Sequence, residues 1–106
     1  MRPVALFARC FAFTTLIGVL PAASQDQANG ERIAKTWCGA CHRVTTDGPI
    51  AGSDAIPPFS SIAQSSSTTE SSLEAFLSTS HAGMSDYNLT RQEIADVSAY
   101  ILSLRK

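Results

Sequence analysis

The apolar positions nearest the C-terminus recur at helical spacing. In "LTRQEIADVSAYILSLRK", Ile94, Val97, Ile101 and Leu104 share one face, while Arg91, Glu93 and Ser103 fall elsewhere. Thr90 stands at the N-cap and Glu93 follows three residues on, a capping box that satisfies two otherwise unpaired helix donors. Leu89 and Ile94 are spaced for the accompanying hydrophobic staple. Arg105 and Lys106 put positive charge at the negative end of the helix dipole. An earlier helix is predicted over 27–37, "QANGERIAKTW", entered from Asp26 as its cap. Gly30 inside it costs about 1 kcal/mol relative to alanine, and marks a place where another backbone comes close. A third helix fits "SSLEAFLSTS", with Leu73, Phe76 and Leu77 buried. Its start is open between Ser71, boxed with Glu74, and Thr69. "PPFSSIA" predicts a short turn or helix that buries Phe59 and Ile62.

Between these lies "VTTDGPIAGSDAIPP", whose Gly, Pro, Asp and Ser read as loop. The Ser/Thr tract over 65–69 reads as a solvent-exposed turn. No run of alternating β-branched residues is long enough for a sheet. The fold class is all-α with substantial loop.

The N-terminus follows another pattern. Arg2 and Arg9 precede "CFAFTTLIGVL", an uncharged run of 11 residues that Pro21 ends and the small residues of "AAS" follow. That is the order of an export signal, and the run is short against the roughly 20 residues of a membrane-spanning helix. Cys10 opens the run and follows Arg9, so a lipoprotein anchor does not fit. Residues 1–24 are therefore expected to be a signal peptide, and 25–106 a single domain of 82 residues. An apolar core of that size supplies only about 3–5 kcal/mol, so a staple is expected. The domain keeps six Lys/Arg against nine Asp/Glu, a net charge of −3, and has no basic tract to suit nucleic acid.

Of the three cysteines, only Cys38 and Cys41 remain in the domain, in "TWCGACHRV". A disulfide between them would close a loop too small to constrain the unfolded chain. A thioredoxin-like pair needs a βαβ unit, for which there are no strands. A structural zinc wants four ligands, and His42 adjoins Cys41 too closely for easy tetrahedral closure with the one remaining histidine, His81. Covalent haem attachment asks only for Cys-x-x-Cys-His: two thiols for the porphyrin vinyl groups and a neighbouring imidazole for iron. It also asks for an exported protein. The staple is read as one haem bound to this pair.

With these elements the domain resembles a small class I cytochrome c over nearly its full length. The resemblance rests on "GERIAKTWCGACH", "PPF", "HAGM" and "LTRQEIADVSAYI". It implies three to four helices with long loops wrapped around one haem c, attached through Cys38 and Cys41, with His42 on the iron. It implies that the first and last helices cross nearly at right angles, Gly30 and Ala34 meeting Val97 and Tyr100. Ala34 departs from the family, where a bulky aromatic is common, which shifts weight to Tyr100 and Ile33. The family's second iron ligand is a methionine, and the domain's one methionine is Met84, in a polar, Gly-containing loop with no helical stripe around it. His81 is the rival ligand, or a loop residue touching a haem propionate. A proline carbonyl supports the ligating histidine in the family; Pro57 is the candidate and Pro49 the runner-up. Trp37 would pack in the core or on the haem edge, and Phe59, Phe76, Ile62 and Leu77 would form the apolar wall.

The implied activity is single-electron transfer by a soluble, periplasmic, monomeric carrier that catalyses nothing itself. Its partners would be transient redox proteins, such as a dehydrogenase, an oxidase or a membrane cytochrome complex, with no stable membrane insertion. The alternatives are a haem subunit held permanently by a dehydrogenase or oxidase, and a haem sensor or peroxidase with an open iron position. N-terminal sequencing of exported protein, after removal of any pyroglutamate cap, is expected to begin at Gln25; an intact N-terminus in a membrane fraction would show an anchor instead.

Overall fold

A computed structural model describes residues 14–19, 23–50, 55–79 and 84–106. Residues 10–13 and 20 of the N-terminal apolar run, and His81, lie outside the described residues. Among those described, every regular element is helical and there is no strand.

The first helix, α1 (Gln27–Ile33), starts as its sequence dictates: the Asp26 side chain accepts from the Asn29 backbone N–H. The chain does not stay α-helical to Trp37. Ala34–Cys38 forms a π-helical turn, closed by Gly39 N–H donating to the Ala34 carbonyl at 3.0 Å. Such wider turns frequently occur at functional sites, and this one delivers the chain into the cysteine pair. The second helix, α2 (Phe59–Gln64), buries Phe59 and Ala63. The third, α3 (Glu70–Leu77), is capped by Thr69, whose box partner is Ser72. Ser71 and Glu74 do not form the box, because Thr69 turns the chain two residues earlier. The tract over 65–69 is the ordered turn between these helices, with Thr68 buried.

The last helix, α4 (Arg91–Ser103), carries the Thr90–Glu93 box in full. Its buried positions include Ile94, Val97 and Ile101, so the apolar stripe faces inward as its period requires. α1 lies against α4 closely enough that a β-carbon on Gly30 would stand 2.0 Å from the Asp96 carbonyl oxygen. It would also stand 3.0 Å from Cβ of Tyr100. The close backbone anticipated at Gly30 is thus Asp96 and Tyr100.

Asp96, 2% exposed, fastens this crossing from the α4 side. Its carboxylate accepts from Asp26 N–H at 2.8 Å, Asn29 Nδ2 at 2.7 Å and Gln92 Nε2 at 2.8 Å. Burial alone pushes the carboxyl up, but these three bonds outweigh it and hold it below the usual carboxylate range. At the far end, Arg105 Nε donates to the Ala63 carbonyl at 2.7 Å and its Nη2 to the Thr68 carbonyl at 2.7 Å. The cation suits the carbonyl-rich end of α2 as well as its own helix.

One apolar cluster results, built on Ile33, Ala34, Cys38, Val44, Phe59, Ala63, Leu73, Val97, Tyr100 and Ile101. Of the two places expected for Trp37, the apolar cluster is not the one it takes: it is 49% exposed, and Phe76, at 52%, likewise stands outside that cluster. The π-helical turn rotates Trp37 outward while Cys38 goes in, and α3 seats Leu73 on the cluster and leaves Phe76 on its outer side. Replacing Gly30 by alanine should lower stability by about 3 kcal/mol, at the upper end of overpacking effects because both partners are backbone or near-backbone atoms. Urea unfolding reads this directly, and unchanged or raised stability would show that the helices separate freely.

Candidate haem-attachment site

The attachment residues occupy one tight turn. The Cys38 carbonyl accepts from both Cys41 N–H at 3.1 Å and His42 N–H at 2.8 Å. The turn puts Cys38 on the apolar cluster, while Cys41 is exposed. Both thiols are free, so the pair is not a disulfide. Burial, and after it the neighbouring Cys41, pushes the Cys38 thiol above its ordinary value.

His42 is oriented rather than loose. Its Nδ1 lies 2.7 Å from the Pro57 carbonyl oxygen. A carbonyl only accepts, so Nδ1 carries the proton and the Nε2 lone pair is left for a metal. The ring also packs against Phe59, with centroids 5.2 Å apart and planes at 52°. Pro57 is brought there by the closure of its loop, where Phe59 N–H donates to the Arg43 carbonyl at 3.0 Å. The Arg43 guanidinium donates to the Thr46 carbonyl inside that loop. Tyr100 pins the same segment, donating from its hydroxyl to the Val44 carbonyl at 2.6 Å. Burial, then the charge of Glu31, raises the Tyr100 phenol, so it remains a donor across the neutral range.

Met84 lies in the stretch leading to α4. It shares the lining of a cavity of about 20 Å³ with Leu77, Tyr87 and Leu89. Trp37, just before Cys38, stacks on Tyr87 with centroids 5.3 Å apart and planes at 37°. The pairing of these rings had no signal in the sequence, because neither residue carries a periodic pattern and the contact spans 50 positions.

A larger cavity of about 470 Å³, between α3 and the start of α4, is lined by Glu74, Asp86 and Arg91 among others, and not by Cys38, Cys41, His42 or Met84. Its charged rim does not suit a porphyrin, and its lining offers neither thiol nor imidazole. The donor chemistry, not the volume, marks the site. Among the described residues no three His, Cys, Asp or Glu side chains converge on a metal position. Two free thiols and an imidazole fixed by its outer nitrogen do fit covalent haem.

Comparison with known proteins agrees. The family described as Cytochrome c matches residues 27–105. Cytochrome c-552 of Bradyrhizobium diazoefficiens is 33% identical over 96 residues, covering 91% of each chain. No solved structure matches the chain significantly. Double replacement of Cys38 and Cys41 by alanine should abolish haem-loaded protein, with the parent showing no titratable thiol when denatured and a mass raised by one haem; zinc with two free thiols would end this reading.

Proposed function

This chain belongs to the cytochrome c family, binds one haem c through Cys38 and Cys41 and serves electron transfer, and from that premise we propose that it is an exported, soluble single-electron carrier with His42 and Met84 as its iron ligands. The observation that carries the proposal is the His42–Pro57 bond, which fixes the imidazole tautomer on the turn that bears both thiols. Bound haem supplies one iron that cycles between ferric and ferrous states. The chain's own part is to hold its ligands still. Pro57 and Phe59 hold the imidazole in orientation, and the Tyr100–Val44 bond holds the segment that carries it. Phe59, Val97 and Ile101 line the apolar cluster, which keeps water from the interior and favours the less charged, ferrous state.

A methionine sulfur opposite the imidazole suits this task, since a neutral thioether raises the reduction potential relative to a second imidazole. A filled coordination sphere leaves no position for substrate, in keeping with a carrier that catalyses nothing. Export is supported by the signal-like order of the first 24 residues and by exposure of Leu16, Ile17 and Val19. Packing begins at the expected boundary: the Ser24 carbonyl accepts from Gln92, Gln25 bonds Glu70, and Asp26 caps α1. Among the described residues no helix is long and apolar enough to cross a membrane. Partners would be redox proteins met transiently, through contacts below about 1,200 Å².

Replacing Met84 by alanine is expected to remove the weak far-red sulfur-to-iron band of the ferric protein, lower the potential and admit carbon monoxide to the reduced iron. Replacing His81 by alanine should leave the band in place. The reverse pattern would make the protein a bis-histidine cytochrome.

A further inference from the structure

We propose that Trp37 and Tyr87 form a clasp that holds the Met84 segment against the cysteine-bearing turn, making both of them positioning residues for the sixth iron ligand. The proposal rests on the reading of Met84 as that ligand. Trp37 is bonded to Cys38, so its backbone moves with the attachment turn. Tyr87 is three residues past Met84 and lines the same small cavity. The ring contact, 5.3 Å between centroids, therefore ties the two ends of the haem site directly to each other.

Exposure argues for a clasp over a core pair. Trp37 is 49% and Tyr87 39% exposed, so the pair gains less from burial than interior rings do. What it supplies is a fixed separation between two segments. The other side of Tyr87 is already stiff. Asn88 N–H donates to the Asp86 carboxylate at 2.9 Å, and Asn88 has a left-handed φ of 50°, a conformation asparagine tolerates. Thr90 then caps α4. Met84 is thus suspended on a segment with α4 behind it and the aromatic clasp tying it to the turn. Loss of the clasp should let the segment swing away more often without changing which atom binds at rest.

Imidazole added to the ferric holoprotein tests this, because it binds only when the sixth ligand has left. Trp37→Leu and Tyr87→Leu should each speed imidazole binding by about three- to tenfold, the range an aromatic pair of this kind can supply. Tyr87→Phe, which keeps the ring, should remain near the parent rate. The double leucine variant should be no faster than the faster single variant, since the rings act as one contact. All should keep the far-red band at rest. Parent-like rates in the leucine variants, additive single effects, or a Tyr87→Phe variant as fast as Tyr87→Leu would overturn the clasp. Met84→Ala separates the two claims. If it does not accelerate imidazole binding, the ligand reading falls and the clasp with it; if it does and the aromatic variants do not, the clasp alone falls.

Discussion

The contact on which the remainder of this fold depends is backbone against side-chain-free backbone, where Gly30 of α1 meets Asp96 of α4 in a space no β-carbon can share. A chain of this size cannot hold two helices together by apolar area alone. Contact at van der Waals distance between main chains adds close packing that larger side chains would prevent. It also brings the α1 terminus within reach of the Asp96 carboxylate, which takes up Asp26 N–H and the Asn29 amide. The crossing is therefore set twice, by shape at Gly30 and by hydrogen bonding at Asp96.

From that crossing the attachment site follows in a few steps. α4, once placed, presents Tyr100, whose hydroxyl takes the Val44 carbonyl and so fixes the segment leaving His42. The loop beyond is closed at its base by Arg43 and Phe59, which sets Pro57 against the imidazole. α1, through its π-helical end, delivers Cys38 to the cluster and turns Trp37 to the surface. Each link is a single directional bond or a close contact, which is how so short a chain holds a donor set in one orientation.

Much of this was legible before the structure. The Thr90–Glu93 box and the stripe Ile94, Val97, Ile101 are local patterns, and local patterns report local structure faithfully. Gly30 announced a close neighbour because a helix-interior glycine is otherwise unfavourable, though not that the neighbour was the Asp96 carbonyl. The Cys-x-x-Cys-His spacing carried its chemistry within five residues. Less legible were the features made by distant partners. Arg105 reads as a terminal charge, yet its guanidinium caps α2 some 40 positions earlier. Trp37 and Phe76 read as core because large aromatics usually are, but the wider π turn and the seating of Leu73 decide otherwise. Asp96 sits on the buried side of a helix where periodicity would place an apolar residue, and only its three donors explain it.

The same division explains why the two proposed iron ligands are held differently. His42 is held through a 15-residue loop closed by its own hydrogen bond, so sequence motif and geometry describe one compact unit. Met84 belongs to a separate segment that reaches the attachment turn through side chains, from Tyr87 to Trp37. With Met84 as the proposed ligand, a covalent attachment on one side and a weak thioether on the other would make that second segment the softer half of the site. The proposed carrier would tolerate such asymmetry, because an iron with both axial positions filled barely rearranges on changing charge. On the proposed reading the demand on the Met84 segment is to stay close, a demand that the half-exposed contact of Tyr87 with Trp37 would serve.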